Sequence, residues 1–192
     1  NGVPGRGGTG AERQVGATDG GSGWCEIAAR MWSSVQRVFA HDAIGDELVN
    51  RVVAKVWRLV VGYPMDESTD VSAVINAGER DRIVGWIDEA TTGGAKIATG
   101  GAVVDHVLTP TVLTGVVPDM NVCSQEVFGP LIGFQGYQSL DEAFTAANDS
   151  RYGLQAAIFT TDLGSALKAA HTLDYGGITV NEMPTFRTDQ MP

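Results

Sequence analysis

Apolar residues along the chain follow two alternating rhythms. Leu48, Val49, Val52, Val53, Val56, Leu59 and Val60 recur at helical spacing after Asp46, which predicts an amphipathic helix ending before Gly62 and Pro64. Asn76 followed by Glu79 makes a capping pair for a second helix, with Ile83, Val84, Ile87 and Ala90 facing inward. Ser139 and Glu142 form the same signature for a third, which carries Leu140, Ala143, Phe144 and Ala147. Thr161 or Asp162 caps a fourth, with Leu163, Ala166, Leu167, Ala170 and Leu173, predicted to stop at the Gly176-Gly177 pair. Trp57 and Phe144 fall on these apolar faces and are expected in the core. Between the helices lie apolar runs of strand type at Val35–Ala40, Thr111–Leu113, Leu131–Phe134, Ala156–Thr160 and Ile178–Val180. Helix and strand alternating in this way predict an α/β fold, a mostly parallel sheet covered by helices.

The pattern changes near Gly23. Residues 1–23 hold nine of the twenty-five glycines, no aromatic residue, and only Val3 and Val15 among the larger aliphatics. Such a stretch buries too little apolar surface to offset the entropy of ordering it, so it reads as a flexible tail ahead of a packed domain over 24–192. Gly5-Arg6-Gly7-Gly8-Thr9-Gly10 formally matches the dinucleotide fingerprint. That fingerprint works only between a strand and a helix N-terminus, and neither pattern flanks it here.

Composition narrows the function. Of 192 residues, 43% are hydrophobic and 19% charged, which suits a globular chain rather than a disordered one. No run approaches the roughly 20 apolar residues of a membrane helix, so no membrane partner is expected. Thirteen basic against twenty-three acidic residues leave a net charge of -10. That balance repels phosphate backbones and argues against nucleic acid. Two cysteines without CxxC spacing suggest neither a disulfide framework nor a zinc site, and His41, His106 and His171 are too scattered for a metal. The N-terminus shows no apolar signal-peptide core, and a cytoplasmic location is the default expectation.

Cys25 and Cys123 are candidate nucleophiles, or else small buried hydrophobes. Cys25 precedes a helical stretch over Glu26 to Ser34, whose N-terminus would favour a thiolate, whereas Cys123 lies in a loop between polar residues. The run Gln125-Glu126-Val127-Phe128-Gly129-Pro130 sets a carboxylate, an aromatic ring and a Gly-Pro turn just before an apolar strand. Glu126 can accept hydrogen bonds from a diol such as a ribose, and Phe128 can pack on a flat heterocycle; the plain alternative is a turn with a solvated carboxylate.

From about Met31 to Pro192 the chain resembles the catalytic half of the aldehyde dehydrogenase superfamily. The matching stretches are Ser34-Val35-Gln36-Arg37-Val38, Thr69-Asp70-Val71, Gly93-Gly94-Ala95-Lys96, Pro110-Thr111-Val112-Leu113, Glu126-Val127-Phe128-Gly129-Pro130, Ala147-Asn148-Asp149-Ser150, Tyr152-Gly153-Leu154-Gln155, Gly176-Gly177 and Val180-Asn181. The resemblance implies a catalytic domain of that family's type, oxidising an aldehyde to an acid through a cysteine adduct and passing hydride to NAD or NADP. It implies further that Glu126 binds the nicotinamide ribose, that Phe128 lies beside the nicotinamide, and that Phe186 lines the aldehyde tunnel. Arg187 is then either a solvated surface charge or a contact for an anionic or hydroxylated substrate. Full-length members of the family are expected to be homo-oligomers.

The same comparison shows departures. The family's Gly-Gln-x-Cys motif reads Ala29-Arg30-Met31-Trp32 here, so Trp32 stands at the nucleophile position. Cys25, seven residues upstream, would substitute only if the chain were re-registered. No match to the family's general-base glutamate or oxyanion asparagine occurs in residues 1–24, and the chain reads as lacking the coenzyme-binding domain and the terminal oligomerisation segment. Two expectations follow: an aldehyde dehydrogenase domain inactive as written, or a catalytically dead member kept as a structural or partner-binding module.

Overall fold

A computed structural model describes residues 35–184. The glycine-rich tail, its Gly5–Gly10 run and the expected helix over Glu26 to Ser34 lie outside the described residues. Eight strands and five helices follow one another as β1 (Arg37–His41), α1 (Gly45–Val56), α2 (Ala77–Thr92), β2 (Lys96–Thr99), β3 (Val103–Val104), β4 (Val107–Leu108), β5 (Thr111–Thr114), α3 (Asn121–Ser124), β6 (Leu131–Tyr137), α4 (Leu140–Asn148), β7 (Gln155–Ile158), α5 (Leu163–Thr172) and β8 (Gly177–Val180). None of these helices is long and apolar enough to cross a membrane.

The main sheet has the order β1-β6-β5-β2. Strand β6 pairs in parallel with both β1 and β5, while β2 is an antiparallel edge. A separate parallel pair joins β7 to β8, and β3 with β4 forms a small antiparallel ribbon. All five strands predicted from the sequence are present, and the sheet is mostly parallel.

Side-chain alternation along the central strands sorts the core into two layers. Leu113 and Leu131 join Ile83, Ile87 and Ala90 of α2 on one face of the sheet. Val112, Ile132 and Phe134 join Val52 and Val56 of α1 on the other. Helices therefore cover both faces, and the central strands are buried on both sides, as parallel sheets require. The caps follow the sequence closely. Asn76 Oδ1 accepts from the Glu79 amide at 2.9 Å, and Ser139 Oγ from the Glu142 amide at 3.3 Å. Asp162 is the cap of α5: it accepts from both the hydroxyl and the amide of Ser165, which hold its carboxyl below the usual range.

Three expectations are corrected. Trp57 is 74% exposed rather than buried, because α1 ends at Val56 and Trp57 is its C-cap residue, where the chain leaves the helix face. Its indole N–H donates to Thr99 Oγ1 at 2.8 Å, so it straps the helix end to β2. Helix α5 stops at Thr172, short of the glycine pair, and Gly177 opens β8 instead. Of the apolar face assigned to α5, Leu163, Leu167 and Ala170 are exposed, and the helix instead buries Ala169, which was not assigned to that face.

Phe144 is 5% exposed on α4, as its spacing predicted. Phe144→Ala should lower the unfolding free energy by about 3–5 kcal/mol in urea titrations. Trp57→Phe, which removes one exposed hydrogen bond, should cost less than about 1 kcal/mol. Equal effects at the two positions would show that the core had been misassigned.

Candidate active site

The loop from α3 to β6 carries the carboxylate and ring singled out above. Val127 at its centre is buried, while Glu126 and Phe128 on either side are exposed. The Val127 carbonyl accepts from Arg82 Nη2 of α2 at 2.8 Å. Arg82 is itself fixed by Glu79 at 2.7 Å and by the face of Trp86, 4.0 Å from the ring centroid. Gly129 lies directly over Ile83, where an added Cβ would come within 2.5 Å of Ile83 Cδ1. Phe128 holds a φ of +51°, a left-handed conformation uncommon for an aromatic residue. With neighbours fixed on both sides, that backbone lifts its ring to 55% exposure.

Among the described residues the Glu126 carboxylate has no hydrogen-bond or ion-pair partner, and a carboxylate has acceptor oxygens suited to a hydroxyl-bearing ligand. It lines a cleft of about 670 Å³ between the two parallel sheets, whose walls include β1, β7, Phe144 and Tyr175. Phe128 is not part of that cleft wall. Beside Glu126, Gln125 Oε1 accepts from Arg151.

Cys123 proves to be in α3 rather than in a loop, and it belongs to the buried core beneath α2. Burial pushes its thiol up to about 11 from 9.0, against a smaller opposing pull from Arg37. A thiol so raised carries little thiolate at neutral pH, which favours the reading of Cys123 as a small buried hydrophobe, although it also lines the cleft beside Glu126. Cys25, Trp32, Phe186 and Arg187 lie outside the described residues. Two residues hold the loop without having been assigned a role from the sequence: Gln36, which appeared only within the Ser34–Val38 stretch, and Arg82.

With the geometry in place, comparison with known proteins decides the family. The family model for the aldehyde dehydrogenase family matches residues 30–192. This chain belongs to the aldehyde dehydrogenase family. It is 45% identical over 165 residues to a 3-sulfolactaldehyde dehydrogenase of Priestia aryabhattai, covering 86% of the chain and 35% of that relative. Identity is 36% over 159 residues to a lactaldehyde dehydrogenase of Methanococcus aeolicus, covering 83% and 34%. Among solved structures, lactaldehyde dehydrogenase from Escherichia coli superposes with a TM-score of 0.87 at 27% identity, over 93% of this chain and 38% of that one. Betaine aldehyde dehydrogenase from Staphylococcus aureus in complex with NAD+ gives 0.83 at 29%, over 91% and 36%. The chain thus spans about a third of the length of the curated relatives it matches.

A buried Cys123 should resist alkylation at about pH 8 in the folded chain and react fully in urea, as read by peptide mass mapping. The sign of its pH linkage is fixed. The folded thiol keeps its proton up to about 11 while the unfolded one loses it near 9.0, so unfolding free energy should fall as pH rises through that window.

Proposed function

We propose that the chain is part of an enzyme type that oxidises a short aldehyde to its acid with a nicotinamide cofactor, that the chain as written does not turn over, and that the Glu126 loop receives the nicotinamide-ribose end of that cofactor. The observation that carries the reading is an exposed Glu126 carboxylate, without a hydrogen-bond or ion-pair partner among the described residues, on a loop otherwise fixed by buried contacts. The donor set suits the group. Two free carboxylate oxygens match two adjacent ribose hydroxyls, and a raised, exposed Phe128 ring offers a flat apolar edge to a heterocycle. When bound, the cofactor supplies the hydride acceptor. Glu126 binds and orients, and Phe128 limits how far the ring can tilt. The solved relative bound to NAD+ supports NAD as the nucleotide, with NADP the other candidate.

The names of the relatives support a small hydroxylated or sulfonated aldehyde as substrate, of the 3-sulfolactaldehyde or lactaldehyde kind. Arg187, beside Phe186, has the charge to meet a sulfonate. A second reading, a catalytically silent member of the family, is favoured by one residue. Trp32 occupies the nucleophile position, and an indole cannot form the covalent adduct from which hydride leaves.

The 192-residue chain should therefore give no reduced nicotinamide with lactaldehyde or 3-sulfolactaldehyde, and Trp32→Cys alone should not rescue it. Turnover by the wild-type chain would contradict this and point to Cys25. Binding tests the site separately. Calorimetric titration with nicotinamide mononucleotide should show Glu126→Gln binding about tenfold more weakly or worse, the scale of losing charge-assisted hydrogen bonds. Equal affinity would remove Glu126 from the site.

A further inference from the structure

The side chain of Gln36 reaches across from the entrance of β1 and uses both ends of its amide on the Glu126 loop. Its Nε2 donates to the carbonyl oxygens of Val122 at 2.9 Å and of Gln125 at 2.6 Å. Its Oε1 accepts from the Val127 amide at 3.0 Å. The bonds to Gln125 and Val127 bracket Glu126 on both sides, one peptide before it and one after. The Gln36 backbone is anchored in turn, its carbonyl accepting from the Gly133 amide at 2.9 Å. Val127 is thus held twice, by Gln36 at its N–H and by Arg82 at its carbonyl, while the side chain of Glu126 between these fixed peptides has no hydrogen-bond or ion-pair partner among the described residues.

We infer that Gln36 is a positioning residue for the nucleotide site: its amide clamps the peptides flanking Glu126, so that the free carboxylate is presented to the nicotinamide ribose at a set height and angle. This rests on the proposed role of Glu126. The physical reason is preorganisation. A carboxylate on a loose loop loses conformational freedom when it meets a diol, whereas one between two pinned peptides has lost it already on folding. Glutamine suits the task because one planar group supplies two N–H donors and an acceptor, here matched to two carbonyls and one amide. An apolar side chain of the same length would leave three backbone groups unpaired near the core.

The test pairs amide hydrogen exchange by NMR with titration of nicotinamide mononucleotide, using the whole chain. Gln36→Met keeps the length and loses the hydrogen bonds. Gln36→Glu keeps the acceptor for Val127 and loses the donors. In Gln36→Met the Val127 amide should exchange about tenfold faster or more, while Leu113 and Ile132 in the central strands stay as protected as in wild type. In Gln36→Glu the Val127 amide should likewise exchange about tenfold faster or more, because the second carboxylate oxygen would face the carbonyls of Val122 and Gln125 and be repelled from the clamp. Mononucleotide affinity should fall about tenfold in Gln36→Met. Unchanged affinity in Gln36→Met, alongside weakened binding in Glu126→Gln, would overturn the positioning role and leave the Glu126 site standing. Unchanged binding in Glu126→Gln as well would overturn the site itself. A uniform rise in exchange across Val127, Leu113 and Ile132 would show a merely structural role and also overturn the inference.

Discussion

Strand β6 is the constraint from which the rest follows. It is bonded on both edges, and its first four residues, Leu131 to Phe134, are buried on both faces, so neither its register nor its tilt is free. Gly133 at its centre pairs with Arg37 on one side and Leu113 on the other, and its lack of a side chain lets Val116 pack to within 3.1 Å of where a Cβ would stand. A slip of one residue would exchange the two core layers and drive a branched side chain into that space. The Glu126 loop runs straight into this strand through Gly129 and Pro130, with the Pro130 carbonyl accepting from the Thr111 amide at 2.8 Å. The position of the carboxylate is thus inherited from the most restrained strand of the sheet.

The second sheet is stitched to the first by polar side chains. Arg37 of β1 donates to the Ala147 carbonyl at 3.1 Å and to the Tyr175 hydroxyl at 3.2 Å, and Tyr175 donates to the same carbonyl at 2.8 Å. A cation on the last carbonyls of α4 also matches the negative end of that helix. Asn148 adds a second stitch, accepting from the Asp174 amide and donating to the Thr172 carbonyl. Asn181 extends the β7–β8 pairing with its side chain, bonding both the amide and the carbonyl of Thr160 at 2.8 Å. These contacts give a physical purpose to short family-like stretches such as Ala147-Asn148 and Val180-Asn181, which hold the walls of the cleft together.

The sequence was most legible where the information is local. Caps such as Asn76 and Ser139 act within three residues, and the faces of α2 and α4 repeat several times, so both were readable. Trp57 was misread because periodicity continues past the point where the helix ends. The face of α5 was misread because apolar spacing says nothing about whether a neighbour exists to cover it. Strands β3 and β4 are two residues long, too short for any period to register, and β2 is an edge strand with no buried residue, so its apolar pattern is weak. At the site, Glu126 and Phe128 stood out through the Gly-Pro turn and the strand behind them. Gln36 and Arg82 did not, since they act on Val127 from 91 and 45 residues away, a pairing that exists only once β1 and α2 have packed beside the loop.

The central claim is that an otherwise unpartnered carboxylate on a rigid loop marks the nicotinamide-ribose end of a nucleotide site. The most direct measurement is a crystal structure of the chain soaked with nicotinamide mononucleotide. The ribose hydroxyls should lie within hydrogen-bond distance of the Glu126 carboxylate and the pyridine ring against Phe128, with the loop backbone unmoved. Density for the nucleotide at another place in the cleft, with Glu126 still facing solvent, would contradict it.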